Sequence, residues 1–137
     1  MKYLCTIYID EAKRAAVPPA QLAAMGREAF DFIEELKASG HYIAAEPLEA
    51  VDTATTVRVR EGKVSMTDGP FAETKEQLGG FFLIEARDLN EALRIASRTP
   101  PARIGSIEVR ACRNLREYVE TLERQATNQQ GDPAHNR

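Results

Sequence analysis

The order of patterned segments predicts an α+β fold of plan βαββαβ with one extra helix at the C-terminus. Three observations carry it. Residues 2–10 and 81–86 have the alternating or continuously apolar character of strands. Residues 20–38 and 89–96 repeat apolar side chains every three and four positions. Between them, Glu61-Gly62 is flanked by two alternating segments and marks a two-residue hairpin turn.

Taken in order, the first strand sets Tyr3, Cys5, Ile7 and Ile9 on one face and Leu4, Thr6 and Tyr8 on the other. Both faces are largely apolar, which suits a central strand. After a linker with Pro18 and Pro19, the first helix places Leu22, Met25, Phe32 and Leu36 on one side against Arg27, Glu28, Asp31 and Glu34. Gly40 is its predicted stop. Gly26 costs about 1 kcal/mol relative to alanine inside a helix, and a close helix-to-sheet contact there would give it a purpose.

Residues 41–50 are extended and carry Pro47, so they form an edge or bulged strand. In the hairpin, Val57, Val59, Val64 and Met66 share one face, while Arg58, Arg60 and Lys63 share the other. Residues 68–80 form a loop with a short helical turn over 73–78, halted by Gly79-Gly80. The strand 81–86 follows. Asp88 and Glu91 form a capping box that opens the second helix, which ends before Pro100-Pro101. Residues 104–111 make the last strand. Asn114 and Glu117 then start a terminal helix over about 114–126, striped by Leu115, Tyr118, Val119 and Leu122. Residues 1–126 are thus one domain, and the polar tail 127–137 has nothing to bury.

Setting the hairpin aside leaves a ferredoxin-like fold, with both helices on one face of an antiparallel sheet. The uncovered face takes Tyr3 or Leu4 and Phe81 or Phe82, with the hairpin valines beside it. That surface is too apolar to stay in water, and a second copy of the chain is the simplest cover. A homodimer with sheets face to face is therefore expected.

Composition excludes several classes of function. Eighteen basic against 21 acidic residues give a net charge of −3, and the chain has no Trp, so no surface is built to neutralise nucleic-acid phosphates. No apolar run reaches the roughly 18–20 residues that cross a bilayer. The N-terminus also lacks the pattern of a signal peptide, which places the protein in the cytoplasm. Cys5 and Cys112 form no C-x-x-C and are expected as reduced thiols. No histidine and cysteine spacing suits a metal, and no Walker A or G-x-G-x-x-G run is present, so no cofactor is expected. Gly80-Phe81-Phe82-Leu83-Ile84 fails as an RNA-recognition strand, because no base precedes the glycine and no later aromatics alternate with it.

The strongest local signal is Asp68-Gly69-Pro70-Phe71-Ala72-Glu73-Thr74-Lys75-Glu76, followed by Gly79-Gly80-Phe81-Phe82. Here the sequence resembles the YCII-related proteins, in particular the branch named for its DGPF motif. The resemblance runs from residue 2 to about 111 and implies the dimeric α/β-barrel version of the fold. It implies no particular reaction. Some broader relatives have a helix histidine and an aspartate proposed as an acid/base pair. Here the first helix has no histidine, and Thr99-Pro100 stands where such relatives often show Asp-Pro.

The local candidates for acid/base chemistry are Asp68, Glu73 and Lys75, with Gly69, Pro70, Phe71 and Phe82 lining a small-molecule cleft beside the dimer interface. Proton transfer needs a group moved toward neutrality by burial or a charged neighbour. A carboxylate enclosed by Phe71 and Phe82, with Lys75 holding an anion, would meet that need. A purely structural turn is the simpler reading of the same residues, and His41, which could serve as a base, is more often a polar strand-end residue. Two functions follow: a cofactor-free enzyme acting on a small organic ligand, or a non-catalytic ligand-binding or interaction module. The resemblance associates the latter with sigma-factor regulation.

Overall fold

The computed structural model describes residues 1–131. Its elements are β1 (Lys2–Ile9), α1 (Glu11–Ala15), α2 (Pro19–Ala38), β2 (Tyr42–Pro47), β3 (Thr55–Arg60), β4 (Lys63–Asp68), β5 (Gln77–Glu85), α3 (Leu89–Ser97), β6 (Ser106–Ala111) and α4 (Leu115–Gly131). Two short 3₁₀ turns, Val51–Thr53 and Pro100–Arg103, lie in connections. The main sheet has strand order β2-β5-β1-β6 and is antiparallel throughout; β3 and β4 form a separate hairpin. With that hairpin set aside, this is the ferredoxin-like order.

The alternation of β1 decides the core. Tyr3 and Cys5 are buried and join Phe82 and Ile84 of β5 beneath Phe32 and Leu36 of α2 and Ala92, Ile95 and Ala96 of α3. Both helices therefore cover one face. Phe32 and Phe82 meet edge to face with ring centroids 5.8 Å apart, an arrangement that aromatic quadrupoles favour. Phe82 is 2% exposed, so it belongs to this core and lies away from the loop after the hairpin. Its neighbour Phe81 points to the open face with Leu4, Thr6 and Leu83, as the pairs Leu4 with Leu83 and Thr6 with Phe81 require.

Helix ends follow the expected chemistry. Gly40 takes φ 81°, and the amides of Gly40 and His41 reach the carbonyls of Lys37 at 3.2 Å and Leu36 at 3.0 Å, closing α2. At α3, Glu91 N donates to Asp88 Oδ1 at 2.9 Å while the Glu91 carboxylate accepts from Arg87 N at 3.0 Å. The hairpin turn has positive φ at Glu61 and Gly62, the two-residue geometry that matches strand twist.

Several expectations need correction. The linker after β1 contains α1, capped by buried Asp10, which accepts from the amides of Ala12 and Lys13. Gly26 meets nothing within 4 Å, so no close contact explains it. Residues 73–78 hold no helix, and Gly79-Gly80 halts nothing: β5 begins at Gln77 and runs through both glycines. The smallness of Gly80 serves the neighbouring strand instead, because a Cβ there would lie 3.0 Å from the Glu46 carbonyl oxygen. β2 is both an edge strand and irregular, its register shifting between Tyr42 and Ala44. The terminal helix continues beyond residue 126 to Gly131, and the remaining tail, 132–137, lies outside the described residues. No helix among the described residues is long and apolar enough to cross a membrane.

Candidate functional site

On the open face of the sheet, the ends of β1, β5 and β6 converge on a groove of about 650 Å³ lined by Tyr8, Thr74, Lys75, Glu76, Ser106 and Glu108. Two local features shape it. The β1–β5 register slips between Ile7 and Tyr8, which turns the last residues of β1 relative to the sheet. Tyr8 sits opposite Ser106 in the β1–β6 ladder, just after Gly105, where a Cβ would collide with the Tyr8 carbonyl oxygen at 2.2 Å. Only glycine lets β6 begin that close to β1.

The wall opposite comes from the loop at residues 69–76. Gln77 pins it by donating from Nε2 to the carbonyls of Ala72 at 3.0 Å and Thr74 at 2.8 Å, and Thr74 Oγ1 donates to the Glu76 carbonyl at 2.5 Å. Across the groove, Ser106 Oγ donates to the Glu76 carboxylate at 3.1 Å. Glu108 is paired with Arg110 on the same face. The groove thus joins a carboxylate held by a hydroxyl, a phenol on Tyr8 and an ammonium on Lys75. Such a set can take a proton from a small molecule and hold the resulting anion.

Of the residues singled out from sequence, Lys75 lies in this groove and the others do not. Asp68 ends β4 opposite Thr55 and is exposed. Gly69 ties the hairpin base together: its amide donates to the Ala54 carbonyl at 2.7 Å, and its carbonyl accepts from Thr56 Oγ1 at 2.9 Å. Pro70 is half-buried beside it. Phe71 is 77% exposed, with the Arg58 guanidinium 5.5 Å from its ring centre. Glu73 is exposed on the loop, and Phe82 is in the core.

Tyr8, Glu76, Ser106 and Glu108 were missed. Glu76 lies directly after Lys75 in the motif, and alternation puts Tyr8 on the face opposite Tyr3 and Cys5. What sequence could not supply is the pairing of Tyr8 with Ser106, 98 positions apart in number.

A second polar cluster gathers at the other end of the sheet. His41 Nδ1 is 2.8 Å from the Glu85 carbonyl oxygen and 3.9 Å from the Glu91 carboxylate, which Arg87 holds at 2.8 Å. The Glu91 carboxyl has a lowered pKa, chiefly through the Arg87 backbone N–H. The Arg87 guanidinium and His41 add to this effect, against burial and the nearby Asp88. The cluster fastens the start of α3 to β5. Among the described residues, no group of His, Cys, Asp and Glu is arranged to hold a metal ion.

A family model described as the YCII-related domain matches residues 1–116. The chain belongs to the YCII-related family. It is 35% identical over 113 residues to an uncharacterized protein of Rhizobium meliloti (strain 1021), a match covering 80% of this chain and 90% of that one. Among solved structures, it is similar to 5-chloro-2-hydroxyhydroquinone dehydrochlorinase from Burkholderia phenoliruptrix AC1100 in complex with 2,5-dihydroxybenzoquinone. That similarity has 16% identity and a TM-score of 0.44, over 83% of this chain and 95% of that one. The family match stops at residue 116, so α4 beyond its first two residues lies outside the matched YCII-related domain.

Proposed function

We propose that this YCII-related protein is a cytoplasmic homodimeric enzyme that performs acid/base chemistry on a small organic acid, without a cofactor, in the groove beside the DGPF loop. The observation that carries this reading is the Ser106–Glu76 contact on the open sheet face, with Tyr8 and Lys75 around it. Glu76 is the base, positioned by Ser106. Lys75 holds the anionic end of the ligand, and Tyr8 donates to the charge that develops. Asp68, at the end of β4, and Glu73, exposed on the loop, serve the approach of the ligand rather than the proton transfer.

The pairing of two copies follows from the open face. Leu4, Phe81 and Leu83 form its apolar centre and are half-buried in a single copy. A second sheet laid on that face removes the apolar centre from water and encloses the groove, where proton transfer gains from the exclusion of solvent.

A thermal-shift screen over small organic acids tests the function, because a ligand that binds the native state alone raises its melting temperature. Glu76→Gln and Tyr8→Phe should abolish the shift produced by any hit. A shift unchanged in both variants places the ligand elsewhere and refutes the groove. Light scattering at micromolar concentration tests the pairing, and a monomer refutes it.

A further inference from the structure

The hairpin and α4 are two elements that physical chemistry does not leave bare. The hairpin belongs to a sheet of its own. The cross-strand pairs Val57 with Met66 and Val59 with Val64 form one apolar face, on which these residues are 55–72% exposed. A lone two-stranded hairpin is marginal in water without something packed on that face. α4 is exposed from residue 115 to residue 130, and Leu115, Tyr118, Val119 and Leu122 stripe one side at 38–73% exposure. Helices of this length draw most of their stability from packing such a stripe.

We infer that α4 of one copy packs its apolar stripe across the hairpin's valine face on a second copy and roofs that copy's Tyr8–Glu76–Ser106 groove. This rests on the face-to-face pairing of sheets proposed above.

Topology supplies the geometry. β6 ends opposite the start of β1, so α4 leaves the sheet at the Lys2 end. The hairpin is inserted between β2 and β5 at the opposite end, where Pro47 pairs with Gly80 and Gln77 pairs with Ile9. Within one chain the two departure points are therefore separated by the length of a strand, about 25 Å. A two-fold axis running across the strands turns one sheet end for end over the other. It sets the α4 end of each copy above the hairpin end of its partner, twice over, in a closed arrangement. A 17-residue helix spans about 25 Å, enough to follow a hairpin with six-residue strands of about 20 Å.

Area agrees. The chain exposes 10185 Å², whereas a compact protein of 15.2 kDa exposes about 7100 Å². The surplus, about 3000 Å², exceeds the roughly 1000–2500 Å² that each copy contributes to an obligate dimer. Arg58, Arg60 and Lys63 lie on the hairpin face opposite the valines, so the face offered to α4 is the apolar one and the charges stay in water.

Cross-linking between chains tests this. In a Cys112→Ser background, one tagged chain carries Met66→Cys and an untagged chain carries Leu122→Cys; the two are mixed, allowed to exchange and mildly oxidised. The expected product is a covalent dimer of one tagged and one untagged chain. A dimer by light scattering with no mixed cross-link, or with links only between like chains, overturns the docking of α4 while leaving the sheet pairing intact. A chain carrying both substitutions that closes on itself as a monomer overturns it too, and a monomer without any link overturns both readings. Leu122→Lys and Val64→Lys should each weaken the dimer by about tenfold or more while the core still melts cooperatively. No change in dimer affinity in either variant also overturns the inference.

Discussion

Ser106 Oγ donates to the Glu76 carboxylate at 3.1 Å, joining the first residue of β6 to the last residue before β5. The contact spans the groove on the open face and fixes a carboxylate that is otherwise on a loop. If Glu76 is the base, Glu76→Gln should lower turnover of a substrate found by the screen by about a hundredfold or more. Ser106→Ala leaves the base in place but lets it wander, and should cost about tenfold to a hundredfold. Steady-state kinetics on both variants checks the order; equal activity in wild type and Glu76→Gln removes the base.

Phe82 and Phe71 look alike in the motif and sit in opposite environments. Truncating Phe82, packed edge to face on Phe32 in the core, should destabilise the fold by about 3–5 kcal/mol. Phe71→Ala should stay within about 0.5 kcal/mol, since this residue is 77% exposed beside the Arg58 guanidinium. Urea unfolding of the two variants gives both numbers.

The two thiols should differ sharply in reactivity. Burial, with a smaller effect of Cys112, pushes the Cys5 thiol up to about 12, and the thiolate is the reactive form. Cys112 is exposed. A thiol reagent at pH 8 should therefore modify one cysteine per folded chain and two after denaturation, with mass spectrometry locating the first at Cys112.

Glu91 makes the fold sensitive to acid. Its folded pKa lies below the ordinary value of 4.5, so the stability it contributes is fully present above that value and is lost as pH falls through the folded pKa. Glu91→Gln should melt earlier than wild type at pH 7, and the gap should close as pH is lowered below 4.5. A gap that is constant from pH 7 to pH 3 would remove the carboxylate from this role.

Much of the fold was legible because its determinants are local. The alternation of Tyr3 and Cys5 against Leu4 and Thr6 assigned the faces of β1. Glu61-Gly62 set the hairpin, and Asp88 with Glu91 set the start of α3. The misses have local causes too. Glycine pairs usually break elements, but Gly80 lies inside β5 because β2 approaches there too closely for a side chain. Helix α1 is short, and its sequence carries no apolar stripe to announce it; only Asp10, as a cap, hints at its start.

The site was harder. The DGPF loop stood out by its residue types, yet most of those residues brace the hairpin base through Gly69 or lie exposed on the loop. The groove is instead assembled by register: Tyr8 meets Ser106 only because β1 and β6 pair where Gly105 allows it, and no spacing in the sequence encodes that meeting.

The most direct test of the groove is an amide chemical-shift titration of the labelled protein with an acid selected by the thermal screen. Shifts should concentrate on Tyr8, residues 74–77 and residues 106–108. Shifts gathered instead around His41 and Glu91, or along the hairpin base from Asp68 to Phe71, would contradict the account.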